Sequence, residues 1–313
     1  MATKTKQPAG KTIKAKKSSL DQLNRYGYLF CLPFVLAFVV FNIYPVFRTF
    51  QMSLMNYKGF GKETFVGFAN YARAFQDVLF RESFVNTLKM WGLNIVLQLG
   101  LALLLTIIFN DIKYRMRGLS IFRAIFYLPN LIACTSVAFL FKTLLDWKYG
   151  SFNQILMNLG IISEQVNWLK GEAGTAQAVV GVVGAWMWFG NSFIMLMAGV
   201  QGINTSYFEA AYIDGANRWQ VFSKVTMPLL RPIMLYVAVT SLIGGLQLFD
   251  IPYLLSGTTG DPGRSLVTAV FYLYNTAFKN NQMGYAAALA FVLFLIISVF
   301  CAAAFKLMNR KED

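Results

Sequence analysis

NNQMGYAAALAFVLFLIISVFCAAAF, residues 280–305, is a run of 26 residues without a charge, closed by Lys279 and Lys306. A helix rises about 1.5 Å per residue, so roughly 20 residues cross the ~30 Å hydrocarbon layer of a bilayer, and this run suffices for one crossing. Its middle, FVLFLIISVF from Phe291 to Phe300, is apolar almost all round. A strand of a membrane barrel would alternate apolar and polar positions, so the segment reads as a lipid-embedded helix whose backbone hydrogen bonds are satisfied internally.

Five further windows have the same character. Twenty-two uncharged residues separate Arg25 from Arg48, 21 separate Lys89 from Asp111, and 18 separate Arg123 from Lys142. Glu172 to Glu209 encloses 36, and Arg231 to Asp250 encloses 18 with apolar sequence continuing beyond. The pattern predicts an all-α polytopic membrane protein with six transmembrane helices, spanning about 27–49, 88–110, 122–145, 177–200, 232–255 and 284–306. They form one membrane domain over 26–308, flanked by a basic tail at 1–25 and a short tail at 309–313. Pro33, Pro45, Pro129 and Pro252 fall inside spans, where a tolerated kink and an unwound turn facing a cavity are both open readings.

Composition agrees with a lipid-embedded chain. Of 313 residues 57% are hydrophobic and 13% charged, about half the charge of a soluble domain. Histidine is absent, which removes His-containing metal sites and Ser-His-Asp or Cys-His catalysis from this chain. Cys31, Cys134 and Cys301 each lie in an apolar stretch and read as isolated thiols. With no G-x-x-x-x-G-K-[ST] run, the sequence offers no loop to cradle a nucleotide's phosphates. The chain reads as having no catalytic residue, no metal site and no cofactor of its own.

The formal net charge of +14 is distributed unevenly. The segments up to Arg25, 110–123, 201–232 and from Lys306 onward hold 17 Lys and Arg, against 8 in 51–82, 146–177 and 256–283. Positive charge favours the cytoplasmic side, so both termini are expected in the cytoplasm. The lysine-rich start lacks interleaved aromatics and adjoins a span, so it reads as a lipid-facing tail and not a nucleic-acid arm. The apolar stretch after it is too long for a cleavable leader, and the tail is expected to stay attached.

One cytoplasmic segment is too structured for a plain connector: QGINTSYFEAAYIDGANRWQVFSKVTMPLLRP, residues 201–232. Ser206 and Glu209 have the S-x-x-E spacing of a capping box, Gly215 is placed to end a short helix, and Trp219, Phe222 and Val225 predict an apolar ridge that Pro228 closes. Amphipathic contact with the membrane surface and docking into a partner's groove both fit this pattern.

Glu209-Ala210-Ala211, then Gly215 four residues on, then Met227-Pro228 resemble the EAA loop of membrane subunits in binding-protein-dependent ATP-binding-cassette importers. The string EAAYIDGANRWQVFSKVTMPLLRP is similar to the carbohydrate-uptake branch, and to its first permease subunit of the maltose, lactose or glycerol-phosphate type. RAIFYLPNLIACTSVAFLFKTLLD from Arg123, QLFDIPYLLSGTTGDPG from Gln247 and FYLYNTAFKNNQMGYAAALA from Phe271 resemble the same branch.

The resemblance implies an importer permease in the bacterial inner membrane, with loop 201–232 docking on a cytoplasmic ATPase dimer through Glu209, Ala210, Ala211, Asp214, Gly215 and Pro228. ATP and Mg would be bound by that ATPase. A second permease and an extracytoplasmic sugar-binding protein complete the implied assembly, with no nucleic-acid partner. A neutral sugar needs hydroxyl partners, so Asn94, Gln98, Asn191, Gln247 and Tyr253 are the candidate pathway residues, joined by Asp250, an acid costly to hold against lipid. The cluster Gly284, Ala287, Ala288 and Ala290 offers a smooth face for close approach of the second permease. The alternative is an ion-coupled carrier, which would usually show more embedded acids and internal symmetry.

Overall fold

The computed structural model describes residues 17–109 and 118–308, with side chains from 26 to 306 apart from that gap. The lysine-rich start, most of the cationic 110–123 segment and the 309–313 tail therefore lie outside the described residues. The chain divides into two compact units, one ending at Gln51 and one beginning at Met52.

The first unit holds helix α1 (Lys17–Phe38), a π turn over Val39–Ile43, and most of α2 (Tyr44–Ser53). Pro45 has no amide to donate, and the wider π turn just before it accommodates the missing bond without ending the helix. Phe30, Phe34, Phe41 and Phe47 are exposed along this run, as lipid-facing side chains of a span would be.

The second unit opens with a two-residue antiparallel ladder, β1 (Met55–Asn56) with β2 (Thr64–Phe65), the small departure from an all-helical chain. Helices α3 (Ala69–Gln76) and α4 (Val78–Phe109) follow, then α5 (Leu119–Leu131), α6 (Cys134–Leu144) and α7 (Ser151–Asn158). The long α8 (Ala173–Gln201) leads through α9 (Thr205–Ile213) and α10 (Arg218–Val221) into α11 (Met227–Leu246) and α12 (Asp250–Ser256). Helices α13 (Ala269–Tyr274) and α14 (Met283–Met308) close the unit.

Among the described residues five helices are long and apolar enough to cross a membrane, or six if the pair α5–α6 counts as one. That pair is bent by 90°, so the window from 122 to 145 is not one straight helix. Ile132 and Ala133 are extended at the break, three residues after Pro129, whose missing amide already weakens the last turn of α5. The fifth window is interrupted as well: α11 stops at Leu246 and α12 restarts at Asp250.

Helices α4 and α8 form the centre of this unit. Met90 on α4 and Val180, Val183 and Met187 on α8 are buried together with Val137 of α6 and Ile251 of α12. At one end, Asp77 caps α4: its Oδ1 accepts from the amides of Leu79 (2.9 Å) and Phe80 (3.2 Å). Its Oδ2 accepts from the hydroxyls of Tyr272 (2.7 Å) and Tyr285 (2.5 Å), tying α13 and α14 to the same point. Partial burial raises the Asp77 pKa, but the tyrosine and amide donors outweigh it and hold the carboxyl below its ordinary value. Burial and the carboxylate push the Tyr272 hydroxyl up to about 12.

The small-residue cluster of the last span is used differently from the sequence expectation. Gly284, Ala287 and Ala288 are buried within the unit, and a Cβ at Gly284 would run into the carbonyl oxygen of Met55. Small side chains signal close approach without saying to what; at Gly284 the neighbour is the chain's own β1 segment.

Candidate transport pathway and coupling loop

The two broken helices meet one cavity of about 230 Å³ between α4, α8 and α11. Cys134, the first residue of α6, and Gln247 to Ile251, across the α11–α12 break, form part of its wall. Asn94, Gln98, Asn191, Gln247 and Asp250 all line it; Tyr253 does not. Tyr253 instead packs against Phe249, with ring centroids 5.1 Å apart, and so lies behind a lining residue.

The polar residues divide into holders and available groups. Gln98 is 5% exposed, donates to Ser192 Oγ (2.7 Å) on α8 and accepts from Ser241 Oγ (3.2 Å) on α11. That bridge fixes three helices and explains why an amide is buried there. Asn191 on α8 and Asp250 on α12 both line the cavity, where they can meet a solute's hydroxyls. Asp250 is exposed and opens the first turn of α12.

Four aromatics that the sequence did not single out complete the cavity: Trp91, Trp188, Tyr236 and Phe249. The Trp91 ring lies where a Cβ at Gly245 would be, so only glycine at 245 admits it. Its indole Nε1 is buried and has no hydrogen-bond partner. Such tryptophans are hard to pick from sequence because interfacial belts make aromatics common in membrane chains.

At the other end of α8, the 201–232 segment is a helical hairpin seated on its own small core. Phe208, Val221, Val200 and Leu230 are buried together, with Ala211, Ala216 and Val225 packed around them. Two expectations are corrected. Asn204, not Ser206, is the N-cap of α9, accepting from the Ser206 amide at 3.0 Å, while the capping box forms one helix later between Asn217 and Gln220. Asn217 Oδ1 accepts from the Gln220 amide (2.9 Å) and Gln220 Oε1 accepts from the Asn217 amide (2.8 Å).

Pro228 does not stop the second helix. A π turn over Phe222–Thr226 precedes it, in which the Met227 amide bonds to the Phe222 carbonyl, and α10 continues into α11 as one helical run. An inserted residue is one way a helix relieves the clash between a proline ring and the preceding turn. The ridge is also redistributed: Val221 is buried, Val225 is partly buried, and Trp219 is 67% exposed against the Phe222 ring.

Gly215 sits where the sequence put it, at φ +76°. Its amide bonds to the Tyr212 carbonyl (3.1 Å) and the Ala216 amide to the Ala211 carbonyl (2.9 Å), the paired bonds of a Schellman exit. The turn leaves Glu209, Ala210 and Asp214 exposed, together with Ile213 at 85%. Pro228 is exposed and Ala211 is partly buried in the supporting core.

Comparison with known proteins identifies the architecture. The model of the family described as "Binding-protein-dependent transport system inner membrane component" matches residues 98–311. The chain belongs to this family. The permease is 33% identical over 287 residues to the lactose transport system permease protein LacF of Rhizobium radiobacter, covering 90% of this chain and 95% of that one. It is 33% identical over 283 residues to the arabinooligosaccharides transport system permease protein AraP of Bacillus subtilis, covering 90% and 87%. The trehalose/maltose transport system permease protein MalF of Thermococcus litoralis is 31% identical over 290 residues, covering 92% and 95%. The fold matches a chain in the crystal structure of a bacterial ABC transporter involved in import of the acidic polysaccharide alginate, with TM-score 0.80 at 24% identity over 95% of the permease and 100% of that chain.

The permease is thus a multi-pass inner-membrane subunit of a binding-protein-dependent importer, and ATP hydrolysis lies on a separate subunit. Among the described residues, no group of three or more His, Cys, Asp or Glu side chains is placed to hold a metal.

Proposed function

We propose that the permease carries a sugar, most simply a neutral oligosaccharide, through a pathway it shares with a second permease, driven by a cytoplasmic ATPase dimer docked on residues 201–232. The observation that carries this reading is the inner cavity. Its polar lining is mostly amides and hydroxyls, its one ionisable acid is Asp250, and Trp91, Trp188, Tyr236 and Phe249 offer ring faces for a pyranose. The relatives named for lactose, arabinooligosaccharides and trehalose/maltose support the same substrate class. A carboxylate in the lining disfavours an anionic sugar by like-charge repulsion.

In this reading both termini are cytoplasmic, an external sugar-binding protein delivers cargo, and Glu209, Ala210, Asp214 and the turn at Gly215 face a cleft on the ATPase. The exposed Trp219 and Ile213 beside them give that contact an apolar centre, the composition of a docking surface. ATP and Mg belong to the partner. Family membership removes the ion-coupled alternative.

Proteoliposomes containing the assembled importer test the reading. ATP-dependent uptake of lactose, trehalose, maltose or arabinotriose that resists uncouplers supports it, as does co-purification of the ATPase. Uptake driven by a proton or sodium gradient in vesicles lacking the ATPase would overturn it.

A further inference from the structure

A second cavity, of about 410 Å³, lies at the start of α4 and α8, walled by both helices and by residues 263–267. Nothing in the sequence singled it out. It lies on the side that the proposed orientation makes extracytoplasmic. Its volume is within the ~300–1,000 Å³ typical of small-molecule sites.

Part of its lining is scaffold. Asn86 Nδ2 donates to the carbonyls of Arg264 and Val267 (both 3.3 Å), and Gln177 Nε2 donates to Asn86 Oδ1 (3.0 Å) and the Ser265 carbonyl (2.9 Å). These bonds pin the 264–267 segment across the two helix starts, with Arg264 held at φ +63°. Other groups are not consumed by the scaffold. Ser265 is 7% exposed, yet its buried Oγ has no hydrogen-bond partner. Glu82, Lys89 and Arg264 add a carboxylate, an ammonium and a guanidinium to the same lining.

This mixture decides the ligand class. A ligand bearing one fixed charge would meet both signs here, whereas each hydroxyl of a sugar both donates and accepts, and can use carboxylate, cation and serine together. The position decides the role. Asn86 and Asn94 on α4 are eight residues apart, about 12 Å along the axis, and α8 likewise runs from Gln177 in this cavity to Asn191 in the inner one. The two cavities lie in series along one pair of helices.

We propose that the outer cavity is a first sugar-binding station, at which Glu82, Lys89, Arg264 and Ser265 hold cargo before it enters the inner cavity. The inference rests on the sugar-import reading above.

Cysteine protection in the full chain separates the two ideas. Native Cys134 reports on the inner cavity, which it lines, and Ala173→Cys places an exposed thiol at the outer one, in a background with Cys31 and Cys301 replaced by alanine. Lactose, trehalose, maltose and arabinotriose are the probes, and the rate of modification by a charged methanethiosulfonate is the readout. The proposal expects a sugar to slow modification at both thiols. It further expects Ser265→Ala to raise the concentration needed at Ala173→Cys by about five-fold, and Lys89→Gln by about ten-fold or more, leaving protection of Cys134 unchanged. Protection of Cys134 alone overturns the outer station and leaves the importer reading standing. Protection at neither thiol by any probe sinks both. Outer protection insensitive to Ser265→Ala and Lys89→Gln overturns the residue assignment.

Discussion

Replacing Gly215 separates the geometry of the proposed coupling turn from its chemistry. The backbone there is left-handed, at φ +76°, and a Cβ would meet nothing within 4 Å. A substitution is therefore penalised by conformation and not by collision. An L-residue in this region costs about 1–2 kcal/mol, a factor of roughly 5–30 in the population of the native turn, and a β-branched residue lies at the upper end. Asparagine, the usual second choice at such an exit, costs less. If the ATPase engages only the Schellman form, Gly215→Val lowers ATP-dependent uptake by about 5–30-fold, and Gly215→Asn by about two-fold. The assay compares uptake, ATPase co-purification and membrane abundance for the two variants in the assembled importer, with abundance expected to stay level. Full coupling in Gly215→Val would refute the reasoning. So would equal losses in Val and Asn, because bulk at the docking face and not backbone conformation would then set the effect.

Reversing the exposed charge in Glu209→Lys should reduce ATPase co-purification by about ten-fold or more without lowering the amount of permease in the membrane. In the inner cavity, Asn191→Ala should raise the apparent KM for sugar uptake by a few-fold and Asp250→Asn by about ten-fold, since hydrogen bonds to a charged group are the stronger ones; steady-state uptake curves read both. For Asp77 the sign follows from its depressed pKa: the carboxylate's contribution is fully present above the ordinary value of 3.8 and is lost only as pH falls through the lower folded value. Asp77→Asn should therefore lower the melting temperature by a constant amount from neutral pH to about 5, and the gap should close only in strongly acidic buffer.

Much of this architecture is written in the spacing of charges. Lys279 and Lys306 bracket an uncharged run that forms most of the helix at Met283–Met308, because a bilayer tolerates no charge between them at low cost. The polar residues of the inner cavity were legible for the same reason: Asn94, Gln98 and Asn191 are conspicuous in apolar windows, and the fold turns all three to one cavity. Hydropathy could not show how they divide. Gln98 is a tie between three helices, a distinction made by Ser192 and Ser241, which are far from it in sequence.

The misreadings share a cause, in that local signals have more than one structural solution. Pro129 and Pro228 both lack an amide, yet one precedes a 90° break and the other is absorbed by a π turn. Ser206 has the right spacing to Glu209 for a capping box, but Asn204 starts the helix two residues sooner. Gly284 advertises a close neighbour without naming it, and the neighbour is the backbone of the chain's own Met55.

The π turn before Pro228 has a mechanical consequence. Because α10 is not severed there, Arg218 and Leu246 belong to one rod of about 43 Å, with its foot at the proposed ATPase contact and its tip at the Gln247 break. Each degree of tilt imposed at the foot swings the tip by about 0.7 Å, so a rocking of ten degrees would displace Gln247 and Phe249 by more than a sugar hydroxyl's reach. Pro232, whose absent amide leaves the Pro228 carbonyl without its helical donor, lies inside this run without ending it.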